Sequence, residues 1–130
     1  FKKATEINPQ LVNAYYNWGT ALNNLGMFDN AIEKFEKAIE INPQIADYHS
    51  GLGIALFNLE KHDKVIEQFN KVIEIDPQNT NSLYYLGISY SNIGKKDDAV
   101  KIFRRLLELN PDASINNNVN KLLHDLTKKE

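Results

Sequence analysis

The prolines of this chain constrain its architecture more than any other residues do. There are four, Pro9, Pro43, Pro77 and Pro111, and each stands 34 residues after the last. The residues ahead of them repeat as well: Glu6-Ile7-Asn8, Glu40-Ile41-Asn42, Glu74-Ile75-Asp76 and Glu108-Leu109-Asn110. Gly19, Gly53 and Gly87 keep the same interval, as do Phe1, Phe35, Phe69 and Phe103, and as do Trp18, Leu52 and Leu86. A fixed period of this length signals stacked copies of one supersecondary unit, none of which can bury its apolar face alone.

Each unit reads as two amphipathic helices. Tyr15, Trp18, Leu22 and Leu25 recur at three- and four-residue spacings, which predicts one inward face on a first helix. Gly26-Met27-Phe28 predicts a turn. Ile32, Phe35 and Ile39, with the small Ala31 and Ala38, predict the inner face of a second helix. Proline drives its preceding residue out of the α region and so ends each second helix. Helices are expected over 12–25, 29–41, 46–59, 63–75, 80–93 and 97–109. Asp29, Asp63 and Asp97 are expected to cap the second helices. A mid-helix glycine costs ~1 kcal/mol against alanine. Gly19, Gly53 and Gly87 therefore predict close approach by a neighbouring helix, with Ala21, Ala31, Ala55 and Ala99 serving the same contact. Val65 and Val72 replace Ala31 and Ala38 in the middle unit and predict slightly wider packing there.

These residues resemble the tetratricopeptide repeat family. Trp18-Gly19, Leu22, Gly26, Phe28, Ala31, Phe35, Ala38 and Pro43 match its pattern in the first unit. Leu86-Gly87, Tyr90, Gly94, Ala99, Phe103 and Pro111 match in the third. The middle unit departs further, with His49, Glu60, His62, Val65 and Val72 at signature places. The resemblance covers residues 1–111 and implies an all-α fold, a right-handed α-solenoid of antiparallel helix pairs. It divides the chain into the end of a truncated preceding repeat (1–9), repeats at 12–45, 46–79 and 80–113, and a C-terminal capping helix (114–130). Stacked repeats need a polar outer surface at their end. Ile115, Val119, Leu122, Leu123 and Leu126, set among asparagines and lysines, fit that role. The chain opens on Phe1 without an initiator Met, so the segment is expected to be cut from a longer protein.

Composition removes several chemistries. With no cysteine there are no disulfides, thiolate metal sites or cysteine nucleophiles. A net charge of −2 gives no basic face of the kind nucleic acid requires. No apolar run approaches the ~20 residues of a membrane span. His49, His62 and His124 share no metal-ligand spacing. His49 is expected at a helix contact and His62 in a turn. No cofactor or metal, and no enzyme activity, is expected. Glu33–Lys37 and Glu67–Lys71 are i, i+4 pairs on outer faces. Lys95, Lys96, Lys101, Arg104 and Arg105 form a basic cluster, read as a solvated face or as a surface for an acidic partner or membrane.

By the resemblance, first helices of successive units line a concave groove that holds a peptide. The groove places are Asn13, Tyr16, Asn17, Thr20 and Asn24 in the first unit. In the second they are Asp47, Ser50, Gly51, Ile54 and Asn58, with Phe57 near the edge. In the third they are Asn81, Tyr84, Tyr85, Ile88 and Asn92. Asp47 is the one charge among them. Tyr16, Ile54, Tyr84 and Ile88 make an apolar and aromatic stripe on a solvent-facing surface. Tyr85 is expected by its phase to be the more exposed tyrosine. Asn24, Asn58 and Asn92 recur at the 34-residue interval, among seventeen asparagines in all. An amide both donates and accepts, so these side chains suit a peptide backbone of any sequence; the other reading is that they cap their own helices. Chaperone-binding members of the family clamp a partner's terminal carboxylate with basic residues. The matching places here are Tyr16, Thr20, Gly51, Asn81 and Tyr85, none of them basic. The function implied is a non-catalytic scaffold with a protein or peptide ligand in its groove. Two alternatives stay open: a substrate-recruiting accessory array of a larger enzyme, as in members fused to glycosyltransferases, and a scaffold that self-associates through Phe1, Ala4 and Ile7.

Overall fold

The computed structural model describes residues 9–128. Among them are seven α-helices and no strand: α1 (Pro9–Asn24), α2 (Phe28–Ile41), α3 (Ala46–Asn58), α4 (His62–Ile75), α5 (Thr80–Asn92), α6 (Lys96–Glu108) and α7 (Ala113–Thr127). A first helix of each unit (A: α1, α3, α5) turns back into a second (B: α2, α4, α6), and each B helix packs on the following A helix. Connections this short hold neighbouring helices antiparallel.

The turns follow from local chemistry. Asn42 (φ −142°, ψ 94°) and Asp76 (φ −132°, ψ 84°) leave the helical region ahead of Pro43 and Pro77, as the proline ring demands. At the end of the A helices the chain reverses through the left-handed region at Gly26 (φ 78°), Glu60 (φ 59°) and Gly94 (φ 85°). Glycine holds that conformation freely, whereas an L-residue such as Glu60 holds it at a cost of ~1–2 kcal/mol.

Asp29, Asp63 and Asp97 are not caps. The B helices start one residue earlier than expected, which moves each carboxylate inside the first turn. The capping positions fall to Met27, Lys61 and Lys95, whose side chains make no capping bond. The aspartates instead face the positive end of the helix dipole. Side-chain caps stand elsewhere: Asn79 Oδ1 accepts from the Ser82 N–H of α5 at 2.9 Å, and Asp112 Oδ1 from the Ile115 N–H of α7 at 3.0 Å.

The core is built on three phenylalanines seated against glycines. Phe35, Phe69 and Phe103 are at most 1% exposed. A Cβ added to Gly19 would lie 2.9 Å from the Phe35 ring, and one on Gly53 2.7 Å from Phe69. One on Gly87 would overlap Phe103 in the same way. The close approach is thus of a B-helix ring into an A-helix notch. Ala31, Ala38, Ala55, Ala99, Val65 and Val72 are fully buried around these rings. α7 packs on α6 with Val119 buried, Ile115, Leu122, Leu123 and Leu126 half-buried, and Asn117, Asn118, Asn120 and Lys121 exposed.

The first helix departs from expectation. Trp18 is 53% and Leu25 73% exposed, whereas Leu52 and Leu86, in the place of Trp18, are 4% and 0%. Ala21 is exposed too, so it serves no close contact among the described residues. The reason is positional: α2 lies across α3 and α4 across α5, and no described helix precedes α1. Phe1, Ala4 and Ile7, read as the remnant of a preceding unit, lie outside the described residues. On the outer surface the expected Glu33–Lys37 and Glu67–Lys71 pairs do not form. Glu33 pairs with Lys34 at 3.2 Å, and Lys37 lies 5.9 Å from the centre of the Tyr15 ring.

Candidate peptide-binding groove

Successive A helices approach one another, α1 to α3 and α3 to α5, while successive B helices are held farther apart. The A helices therefore form the inside of the curve. Their sequences differ from the B helices in one property above all. α1 and α5 contain no Asp, Glu, Lys or Arg, and α3 contains Asp47 alone. The three B helices, of similar length, carry eighteen such residues. Asp47 apart, the charge of the paired helices lies on the outside of the curve.

The expected groove residues fall into two layers. Asn13, Asn17, Asn24, Asp47, Asn58, Asn81 and Asn92 are exposed. Tyr16, Thr20, Ser50, Gly51, Ile54, Phe57, Tyr84, Tyr85 and Ile88 are half-buried. Polar amides thus rim a partly apolar floor. The floor dips in the middle: Ser50 and Gly51 stand on α3 where Tyr84 and Tyr85 stand on α5. A Cβ on Gly51 would run into the Phe35 ring, so that glycine is required by packing beneath the groove.

Tyr85, expected to be the more exposed tyrosine, is half-buried, as Tyr84 is. Its ring stacks on Phe69 at 5.2 Å with 7° between planes, and meets Phe57 edge-on at 5.0 Å. Tyr84 lies 6.1 Å from it. Tyr16 packs on Phe35 at 6.0 Å and on Tyr48 at 5.4 Å. Each tyrosine therefore has a face committed to packing. Burial, helped by the Asp47 carboxylate and the Tyr16 hydroxyl, raises the Tyr48 hydroxyl above its ordinary value of 10.0.

The three recurring asparagines do not form a uniform ladder. Asn58 Nδ2 donates to the Ile54 carbonyl one turn back at 2.9 Å, which is the local capping role. Asn92 Nδ2 lies 3.5 Å from His62 Nε2 on the preceding B helix. Thr20 Oγ1 likewise donates to its own helix, at the Tyr16 carbonyl (3.0 Å). Two polar residues not singled out from the sequence bridge neighbouring A-type helices. Asn23 Nδ2 donates to the Gly51 carbonyl of α3 at 3.1 Å, and its buried Oδ1 has no hydrogen-bond partner. Asn118 Nδ2 of α7 approaches the Tyr84 hydroxyl at 3.5 Å. Asn23 follows Thr20 by three residues, a spacing that places both on one face.

His49 is buried, with Nε2 donating to the Pro43 carbonyl and Nδ1 meeting the Gln68 amide, each at 2.8 Å. It fastens a turn to α4 and is spent there as a structural group. His62 opens α4 rather than lying in the turn before it. No group of three or more His, Cys, Asp or Glu converges among the described residues. On α6, Arg105 of the basic cluster donates to the Pro77 carbonyl at 2.8 Å. No described helix is long and apolar enough to cross a membrane.

A family model of the tetratricopeptide repeat matches residues 12–45 and 46–79, and a second model of the same repeat matches 69–101. The chain belongs to the tetratricopeptide repeat family. No curated protein matches it. Solved tetratricopeptide structures match over nearly its whole length. One is the first such domain of Spaghetti (RPAP3) bound to the HSP90 peptide SRMEEVD: TM-score 0.83, 22% identity, covering 92% of this chain and 95% of that one. The second such domain of human RPAP3, in complex with the HSP70 peptide SGPTIEEVD, has TM-score 0.81 and 18% identity over 92% and 97%. The Yersinia enterocolitica type III secretion chaperone SycD, in complex with a peptide of the translocator YopD, has TM-score 0.87 and 14% identity over 93% and 95%. At these identities the likeness is one of fold.

Proposed function

We propose that this tetratricopeptide array is a non-catalytic interaction scaffold whose concave face holds a peptide segment that is not acidic. The observation carrying the reading is the partition of charge: the A helices that line the curve have Asp47 as their one charged residue, against eighteen on the B helices. A carboxylate entering that face would lose hydration with no cation to meet it, at a cost of several kcal/mol. An aliphatic or aromatic side chain would gain burial against Ile54, Tyr84 and Ile88, and exposed amides at the rim can pair with backbone groups. The peptides SRMEEVD and SGPTIEEVD, held by the similar domains, end in carboxylates. Peptides of that kind are disfavoured here.

Selection from a random peptide library displayed on phage tests this. Recovered sequences should be poor in Asp and Glu and rich in Leu, Ile, Phe or Tyr, and Ile54→Lys with Ile88→Lys should abolish their binding. Enrichment of acidic C-terminal peptides, or binding that survives both lysines, would sink the proposal. An Asn24→Ala/Asn58→Ala/Asn92→Ala variant separates the rim from the floor; unchanged affinity would remove the amides from the mechanism.

A further inference from the structure

The one charge on the inside of the curve has no structural role. Asp47 is exposed in the first turn of α3, and its carboxylate makes no capping bond and no ion pair among the described residues. An acid in a first turn favours the helix dipole, but α1 and α5 form with none there. The equivalent places on those helices are Asn13 and Asn81, both exposed. The fold accepts an amide at this position, and α3 alone sets a charge there.

Its surroundings suit a cation. Asp47 precedes Tyr48, whose ring lies 5.4 Å from that of Tyr16. Burial, with the Asp47 carboxylate and the Tyr16 hydroxyl, raises the Tyr48 hydroxyl above its ordinary value, so the three groups act on one another. Tyr16 is half-buried, which leaves part of its ring open to the groove, and an aromatic face attracts a cation within ~6 Å. The amides of Asn13 and Asn81 stand in the same register on the flanking helices and add acceptor oxygens. Around this end of the groove, α2 and α3 carry five acids against two lysines, whereas α6 carries four basic residues against three acids.

A carboxylate flanked by amide oxygens and an aromatic ring matches a guanidinium, which has five N–H donors in a planar fork and no acceptor. We propose, resting on the groove reading above, that Asp47 anchors one arginine of the bound peptide, its guanidinium paired with the carboxylate and laid against Tyr16. Ile54 of the apolar floor follows Asp47 by almost two helical turns, so the two share a face about 10 Å apart. An extended peptide covers that distance in about three residues. The arginine therefore stands about three residues from a Leu, Ile or Phe.

A random phage-displayed library selected in parallel on the wild-type chain, Asp47→Asn and Asp47→Lys tests this. The wild type should recover peptides with Arg about three residues from an apolar residue. Asp47→Asn should keep the apolar residue and lose the Arg, and Asp47→Lys should exchange the Arg for Asp or Glu. Asp47→Asn should keep its Tm within about 5 °C. In one wild-type-selected peptide labelled with fluorescein, exchanging the arginine for uncharged citrulline should weaken Kd about threefold on the wild type, the effect of one exposed ion pair. The same exchange should change nothing on Asp47→Asn. Salt can screen no more than this pair, so its effect on Kd stays within that threefold. Wild-type peptides without Arg, or an equal citrulline loss on both chains, would overturn the arginine site and leave the apolar groove standing. Acidic peptides on the wild type, or none at all, would overturn the groove reading and the arginine site with it.

Discussion

The A and B helices of this array share length, apolar content and core, and differ in what they show to solvent. The B helices give buried phenylalanines inward and eighteen charges outward, while the A helices give glycine notches inward and an almost uncharged surface outward. A helix whose exposed face is charged needs no partner there. One whose exposed face carries half-buried tyrosine and isoleucine, rimmed by amides, is suited to hold something. The pairing of ring and notch also explains why the two helix types are not interchangeable, since neither can supply the other's half of the contact.

The sharpest way to break the comparison is at a ring. Phe103→Ala empties a site that is 0% exposed and should destabilise the chain by ~3–5 kcal/mol in urea unfolding. Gly87→Ala attacks the same contact from the A side. Alanine is the better helix former by ~1 kcal/mol, but the new methyl overlaps Phe103, and overpacking of that kind costs ~1–3 kcal/mol. Net loss of stability is the expected result; a gain would show that the notch is not needed. Asn79→Ala removes the α5 cap and should cost ~1 kcal/mol, whereas Asp63→Ala, in a first turn with no capping bond, should cost less. Glu60→Gly runs the other way. It gives the middle unit the glycine that Gly26 and Gly94 supply to its neighbours, and should stabilise by ~0.5–1 kcal/mol. Lys101→Ala, on the outer face of α6, should change stability by less than ~0.5 kcal/mol and leave peptide binding untouched.

The sequence alone carried most of the fold because the period is a property of buried positions. Prolines, glycines and phenylalanines at one interval cannot be satisfied except by stacking. What it did not carry was environment at the ends of that stacking. Trp18 has the pattern of a core residue and would be one if a B helix lay ahead of α1. Asp29, Asp63 and Asp97 have the type of a cap, but helix starts shift by a residue for reasons of packing, and one residue decides whether a carboxylate reaches a free N–H. In the groove, the lack of charge could be read from residue types. The stacking of Tyr85 onto Phe69 could not, because it depends on which rings lie around it, Phe69 and Phe57. Asn23 was missed for a related reason: its partner is the carbonyl of Gly51, and backbone acceptors leave no mark in a sequence.

The central claim, a groove without charge on the inside of a charged shell, is tested most directly by salt. A fluorescein-labelled peptide selected on the array should bind by fluorescence polarisation with nearly the same Kd at about 50 mM and about 500 mM NaCl, because screening acts only on charge pairs and the concave face has almost none to screen. A Kd that weakens tenfold or more across that range would contradict the account, placing the recognition on the charged B helices.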